Sequence, residues 1–285
     1  KKIVDNFNNF NPDCLVLGHA DSISGDTLDH LKEINKSLKI CQWFLDPVGK
    51  NAPDFIKNNE RISQNLEFID FTFLTSCPSV LKKKINNAFF IPNPSDLSFE
   101  ILKNYEEIKP NDVFFAMSHG VHRGILKKGK FDQREIFIKK LIKKNKNINF
   151  DIYGMDDVQP VWGNDFINAI SKSNMGLNLS RGKPTKYYSS DRLAQLLGNG
   201  LLTFIDKKTF YSDFLNNEQI IFYNDINDLI EKLNKYKKDK KEAKKIAKNG
   251  RNVYLKKFNS TMVSDYILSK VFDYKSKNKF IWEKK

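Results

Sequence analysis

Arg192 is the residue whose type and place most plainly ask for chemistry. It stands in Ser189-Ser190-Asp191-Arg192-Leu193-Ala194-Gln195, where a serine before a Leu-containing run marks a helix start. Ser189 or Ser190 reads as the N-cap, which puts Arg192 in the first turn. A cation there opposes the helix dipole by roughly 0.3–1 kcal/mol. An anion bound at the helix N-terminus removes the conflict, because free N–H groups and the dipole already favour negative charge. Arg181, Lys183 and Lys186 precede it in a basic loop. Two readings stand side by side: a phosphate or pyrophosphate site, or a solvated basic loop with Arg192 paired to Asp191 or another surface acid. A second constellation is His119-Gly120-Val121-His122-Arg123-Gly124. Its glycines let backbone N–H groups approach a phosphate, and Arg123 can grip two oxygens at once. It is neither GxGxxG nor a P-loop, and His119 and His122 lack a third metal ligand at usable spacing. His19 with Asp21, Asp46 before Pro47, and the pair Asp156-Asp157 are further polar groups next to apolar runs. Asp-Pro and Asp-Asp are also common turn formers. Tyr187 and Tyr188 can stack on a nucleobase or pack in a core.

The elements that must position these groups alternate. Short apolar runs at 13–18, 39–45, 67–74 and 88–91 read as strands. Between them, 27–38 places Leu28, Leu31, Ile34 and Leu38 on one helical face, and 54–65 and 79–84 hold further helical turns. The polar stretch 95–111 reads as a linker. The pattern then restarts with strands at 112–118, 148–153, 175–180, 201–206 and 219–223 and helices at 131–144, 164–172, 190–197, 240–256 and 261–272, with one more from Asp225 that carries Ile226, Leu229, Ile230 and Leu233. Asp132 and Asp225 are candidate caps, and Asp239 with Glu242 has capping-box spacing. In the helix after Ser190, Leu193, Leu196 and Leu197 form the inner stripe, and Arg192, Gln195 and Asn199 a polar one. Gly198 and Gly200 close it. Alternation with short connections predicts parallel, helix-covered α/β sheets, two in succession, with a cleft between them. Ligands of such sheets sit beyond the carboxyl ends of the strands, where the charged loops fall.

The 285 residues suffice for one large or two medium domains. With 40% hydrophobic and 13% aromatic residues, a sizeable core is affordable and general disorder is not expected. The formal charge of +14 admits nucleic acid, an anionic membrane surface or phosphorylated small molecules. Most of the excess is Lys in a chain also rich in Asn and Ile, and no RRM, KH or helix-turn-helix signature stands out, which argues against nucleic acid. Cys14, Cys41 and Cys77 lack CxxC spacing, so free thiols in a reducing, cytoplasmic setting are expected, without structural zinc. No run approaches the length of a membrane span and no signal peptide is evident. The chain begins Lys1-Lys2 without Met, which leaves room for an upstream segment.

Residues 174–251 resemble the C-terminal half of GT-B glycosyltransferases, especially the spore-protein-like (CgeB-like) group of the retaining clan. The resemblance is carried by Ile152-Tyr153-Gly154, by the strand from Ser173 to Leu179, by Asp191-Arg192 through Gly200, by 210–223 and by Ile246 to Arg251. Gln195 stands where that family usually has a ribose-binding Glu. The N-terminal half matches loosely, at Trp43 to Asp46 and Phe90 to Pro94. The resemblance implies an α/β chain of GT-B architecture, two Rossmann-like domains facing across a cleft, the N-terminal one short. The expected division is 1–108 for the acceptor side, 109–260 for the nucleotide-sugar side, and 261–285 as a helix and tail able to cross back. It further implies transfer of a hexosyl unit from a nucleotide-diphosphate sugar to a glycan, lipid or protein acceptor, with no other cofactor and no metal. The donor diphosphate and nucleotide would meet His119, Gly120, His122, Arg123, Tyr153, Gly154, Arg181, Lys183, Tyr188, Ser190, Asp191, Arg192 and Gln195. His19 and Asp46 would face the acceptor as general base or hydroxyl ligand. Peripheral contact with an anionic inner membrane surface is a secondary expectation. A non-catalytic sugar-nucleotide or glycan binder of the same fold is the alternative, ahead of a nucleic-acid-binding α/β protein.

Overall fold

The computed structural model describes residues 2–18, 23–118 and 132–283. The chain runs α1 (Lys2–Phe10), β1 (Cys14–Gly18), α2 (Gly25–Ile34), β2 (Lys39–Phe44), α3 (Phe55–Ser63), β3 (Phe71–Leu74) and β4 (Ala88–Phe90). It continues as β5 (Asn111–Ala116), α4 (Gln133–Lys144), β6 (Phe150–Tyr153), α5 (Gly163–Ile170), β7 (Ser173–Asn178), α6 (Arg192–Gly198), β8 (Leu202–Asp206), β9 (Ile221–Tyr223), α7 (Ile226–Lys238), α8 (Lys240–Lys257) and α9 (Ser260–Val271). Contacts divide it into two units. The first holds Lys1–Pro92, Thr185–Tyr188 and Thr261–Lys285, the second Asn93–Pro184 and Ser189–Ser260. The division therefore falls at 92/93 and not at 108/109, and the tail from 261 joins the first unit.

In the first unit four parallel strands lie in chain order, β1-β2-β3-β4. Ser24 caps α2 by accepting the Thr27 N–H, and Leu28 and Leu31 pack with Phe7, Leu38 and Ile40. The helix α1, which adds Phe7 to that core, escaped the sequence reading, because only Ile3, Val4 and Phe7 mark its apolar face among Asn and Lys. A second cluster joins Phe44, Val48, Ile62 and Leu74. The strands run in one direction across the sheet, so no reversal of strand order occurs within it.

The second unit is a five-stranded parallel sheet in the order β6-β5-β7-β8-β9. Strand β5, paired on both sides by β6 and β7, explains the continuous apolar run at 113–115. Phe114 faces Ala169, Ile170 and Leu196, whereas Val113 and Phe115 face the opposite layer with Ile138, Leu141, Leu177 and Phe204. Both faces are covered, as parallel sheets require. After β5 the chain adds β6 on one side and then returns to add β7 on the other. The reversal of strand order thus lies between β5 and β7, and such a switch point opens a crevice at the carboxyl ends.

The expected linker 95–111 proves to be a strap on the second unit. Arg251 donates from Nε to the Leu102 carbonyl at 2.9 Å. The Asn104 amide donates to the Ile170 and Ser173 carbonyls at 2.6 and 2.8 Å. The Tyr254 hydroxyl donates to the Asn93 carbonyl at 2.8 Å. These partners lie far away in sequence, so local polarity gave no hint of them. Among the described residues, no helix is long and apolar enough to cross a membrane.

Candidate functional site

Arg192 is the first residue of α6, and its side chain reaches back over the sheet. Its Nε donates to the Ala116 carbonyl at the end of β5 (2.9 Å) and its Nη1 to the Leu179 carbonyl just after β7 (3.0 Å). The guanidinium therefore bridges the two strands that flank the switch point. Nη1 also meets Ser190 Oγ at 3.3 Å, and the guanidinium carbon stands 5.1 Å from the centre of the Phe115 ring. These two carbonyls, the Ser190 hydroxyl and the aromatic face fix the position of the cation. The capping expectation needs correction. Asp191 occupies the N-cap and makes no side-chain cap bond. Ser190 has φ +60°, outside the extended region an N-cap adopts, and the buried Ser189 hydroxyl accepts from Tyr211 at 2.9 Å and donates to the Ser190 carbonyl.

A cavity of about 870 Å³ opens from this point, walled by the end of β5, the start of α5, α6 and the strap. That volume is in the range of small-molecule sites. Ser190, Asp191, Arg192, Gln195 and Asn199 all line it, so the polar stripe of α6 is its wall. Arg134 and Trp162, which the sequence reading did not single out, line it too. Arg134 lies at the start of α4 and is nearly buried. Its Nη2 donates to Asp132 Oδ2 at 2.7 Å, while Asp132 also accepts the Arg134 backbone N–H at 2.9 Å. Burying the pair is tolerable because each charge has the other at hydrogen-bond distance. The helix α5 begins at the same wall, after Trp162, with no side-chain cap bond.

Residues 133–269 match a family model described as glycosyl transferase-like. No curated protein matches the chain by sequence. Among solved structures, sucrose-phosphate synthase from Thermosynechococcus elongatus superposes with TM-score 0.59 at 10% identity, over 95% of this chain and 75% of that one. Anabaena HepE in complex with UDP and glucose gives TM-score 0.64 at 10% identity, over 96% and 81%. A glycosyltransferase from Rickettsia africae gives 0.60 at 12% identity, over 96% and 80%. With two parallel, helix-covered α/β units already described, these superpositions decide the architecture. The fold is GT-B.

In this GT-B chain the residues expected at the donor site do not all meet. Ser190, Asp191, Arg192 and Gln195 meet in the cavity. Tyr153 and Gly154 stand beside it without lining it. The Tyr153 ring packs 5.9 Å from Phe114, and burial pushes its hydroxyl pKa up. Gly154 has φ +83°, and a Cβ there would lie 1.7 Å from the Met117 carbonyl oxygen, so its role is to let the backbone pass under a cavity-lining residue. Arg181 and Lys183 are exposed and are not among the lining residues. Tyr188 is buried and belongs to the first unit, as does Tyr187, whose ring lies 5.0 Å from Phe90. His19, His119, Gly120, His122 and Arg123 lie outside the described residues.

On the first unit of the GT-B fold, Asp46 follows β2 and is half-exposed, with Oδ2 3.9 Å from Arg61 Nη1. Asp156 and Asp157 form a turn after Gly154, both in the left-handed region, and Asp156 pairs with Lys139 at 2.7 Å. Gln195 offers an amide that can both donate and accept at the cavity wall, one turn along α6 from Arg192.

Proposed function

We propose that the chain is a glycosyltransferase that moves a sugar, in the first instance a hexosyl unit, from a nucleotide-diphosphate sugar to an acceptor, as in the spore-protein-like group it resembles. The observation that carries this reading is Arg192, fixed across the switch point of the second unit at the head of an 870 Å³ cavity. The glycosyl transferase-like match over the same unit, and the UDP and glucose present in the Anabaena relative, support it.

In this reading the donor diphosphate lies over the carboxyl ends of β5 and β7. As the bond from the sugar to the diphosphate breaks, negative charge collects on the leaving phosphate oxygens. A guanidinium already held by two carbonyls meets that charge without having to reorganise, and no divalent cation is called for. Gln195 takes the ribose hydroxyls. His119, Gly120, His122 and Arg123 add phosphate contacts, and Asp46 and His19 serve the acceptor, a cell-surface glycan, lipid or protein. The reaction takes place in the cytoplasm, at or near the inner membrane surface.

A second reading, binding of a sugar-nucleotide without turnover, is favoured by Gln195, which brings no charge to the ribose position. One assay separates the two. The purified chain is incubated with a panel of nucleotide-sugars, and release of nucleoside diphosphate is followed with and without acceptor glycans. Transfer predicts release that falls about 100-fold or more in Arg192→Ala, the usual cost of losing one preorganised transition-state donor. Binding without any release supports the second reading, and an Arg192→Ala rate equal to that of the unmodified chain contradicts the first.

A further inference from the structure

Cys14 and Cys41 bring their sulfur atoms to 3.8 Å across the first two strands of the first unit. Those strands run parallel, with Cys14 opposite Lys39 and Val16 opposite Cys41, so the two thiols are diagonal neighbours on one face of the sheet. The pair is unequal. The strand order puts β1 at the sheet's edge and β2 inside it. Cys14 is half-buried, whereas Cys41 is fully buried. A hydrogen bond from Cys41 holds the Cys14 thiol below its ordinary pKa, against burial and the nearby Asp70 charge. The same bond, then burial, push Cys41 up. Asp70 is itself engaged, by Lys32 Nζ at 3.2 Å and by the Ile40 N–H at 2.8 Å. A thiol within reach of solvent and with thiolate character is the one that an oxidant attacks, and a second thiol beside it resolves the product. The third cysteine, Cys77, follows β3 and meets the Ser79 hydroxyl at 3.1 Å.

We infer that Cys14 and Cys41 form a redox site, at which a peroxide oxidises Cys14 and Cys41 turns the product into a disulfide that staples the edge strand β1 to β2. The Cys14 thiolate attacks one oxygen of hydrogen peroxide; the O–O bond breaks, hydroxide leaves and a sulfenic acid remains. The Cys41 thiol attacks that sulfur; the S–O bond breaks, and the oxygen leaves as water with the Cys41 proton. In sum two thiols lose two electrons and two protons, and the peroxide becomes two waters. Closing the bond brings the sulfurs from 3.8 Å to about 2 Å, within reach of a small shift of an edge strand. The bond encloses the whole of α2 and ties down a strand that is otherwise paired on one side only. A reducing setting keeps the pair as thiols, so the staple closes only when oxidant is present. This site is independent of the nucleotide-sugar reading, since both cysteines lie in the first unit and Arg192 lies in the second.

The test treats the full, reduced chain with a stoichiometric amount of hydrogen peroxide, then unfolds it in N-ethylmaleimide and maps the labelled peptides by mass spectrometry. The untreated chain should be labelled at all three cysteines. The treated chain should be labelled at Cys77 alone, with a linked Cys14–Cys41 peptide lighter by two hydrogens, and dithiothreitol should restore the other two labels. In Cys41→Ala the reaction should stop at the sulfenic acid of Cys14, which dimedone traps. Should that variant fail to fold, dimedone added to the unmodified chain early in the reaction still reports which sulfur is oxidised first. Hydrogen exchange of the β1 amides should be at least about tenfold slower in the oxidised chain. Three labelled cysteines after peroxide, a sulfenic acid that persists on Cys14 of the unmodified chain, or a Cys14 bond between two copies in place of the internal one overturns the site. Dimedone on Cys41 first overturns the assigned order of attack. Equal β1 exchange in the two forms overturns the staple.

Discussion

The guanidinium of Arg192 and the amide of Gln195 divide the labour of one cavity wall. The first supplies a fixed charge, the second a neutral group that can donate and accept. Gln195→Ala should therefore weaken a nucleoside diphosphate about 3- to 10-fold, the size of a single neutral hydrogen bond, and leave inorganic pyrophosphate binding unchanged in the same titration. Arg192 was legible in the sequence because a cation in a helix's first turn is locally unfavourable and asks for a reason. The reason is partly different from the expected one, since the side chain reaches the Ala116 and Leu179 carbonyls. Asp132 was legible as a cap, but Arg134 was not. Its partner is two residues away, and nothing in the local pattern says that the pair is buried in a cavity wall. Trp162 was passed over because an exposed aromatic and a core aromatic look alike in a sequence.

At the scale of elements, two glycines give opposite expectations. Gly154 has φ +83° and no room for a Cβ, whereas Gly163 has φ +54° with nothing within 4 Å of the Cβ position. Gly154→Ala should cost at least about 2 kcal/mol of stability from strain, with the clash against Met117 added. Gly163→Ala should cost roughly 1 kcal/mol, from backbone conformation alone. Urea midpoints of the two variants check the difference. The strap has its own signature in pH. The Ser260 hydroxyl at 2.6 Å, then the Ser98 backbone and hydroxyl, hold Asp96 down at about 2 against an ordinary 3.8. A carboxylate pKa lowered by folding contributes stability that is fully present above the unfolded value and lost as pH falls through the folded one. Ser260→Ala should therefore raise the Asp96 pKa toward 3.8, so that the acid-sensitive stabilisation is smaller and its loss is complete at higher pH; carbon NMR titration of the carboxyl group reads the pKa directly. The strands and most helices were legible because apolar runs and helical spacing are local. The strap was not, because Arg251, Asn104 and Tyr254 tie it down over long separations.

At the scale of the whole molecule, the alternation of strands and helices was enough to indicate two α/β sheets, but not the order of strands within them. That order decides where a ligand can sit. The first unit lays its strands down in sequence, whereas the second reverses direction between β5 and β7 and places Arg192 on the reversal. No residue type encodes such a reversal. It emerges only when β7 packs beside β5 and not beside β6. The crystal structure of the chain with a bound nucleoside diphosphate tests the account most directly. The diphosphate should lie over the carboxyl ends of β5 and β7, within hydrogen-bond reach of the Arg192 guanidinium. A diphosphate bound elsewhere, out of hydrogen-bond reach of the Arg192 guanidinium, would contradict the account.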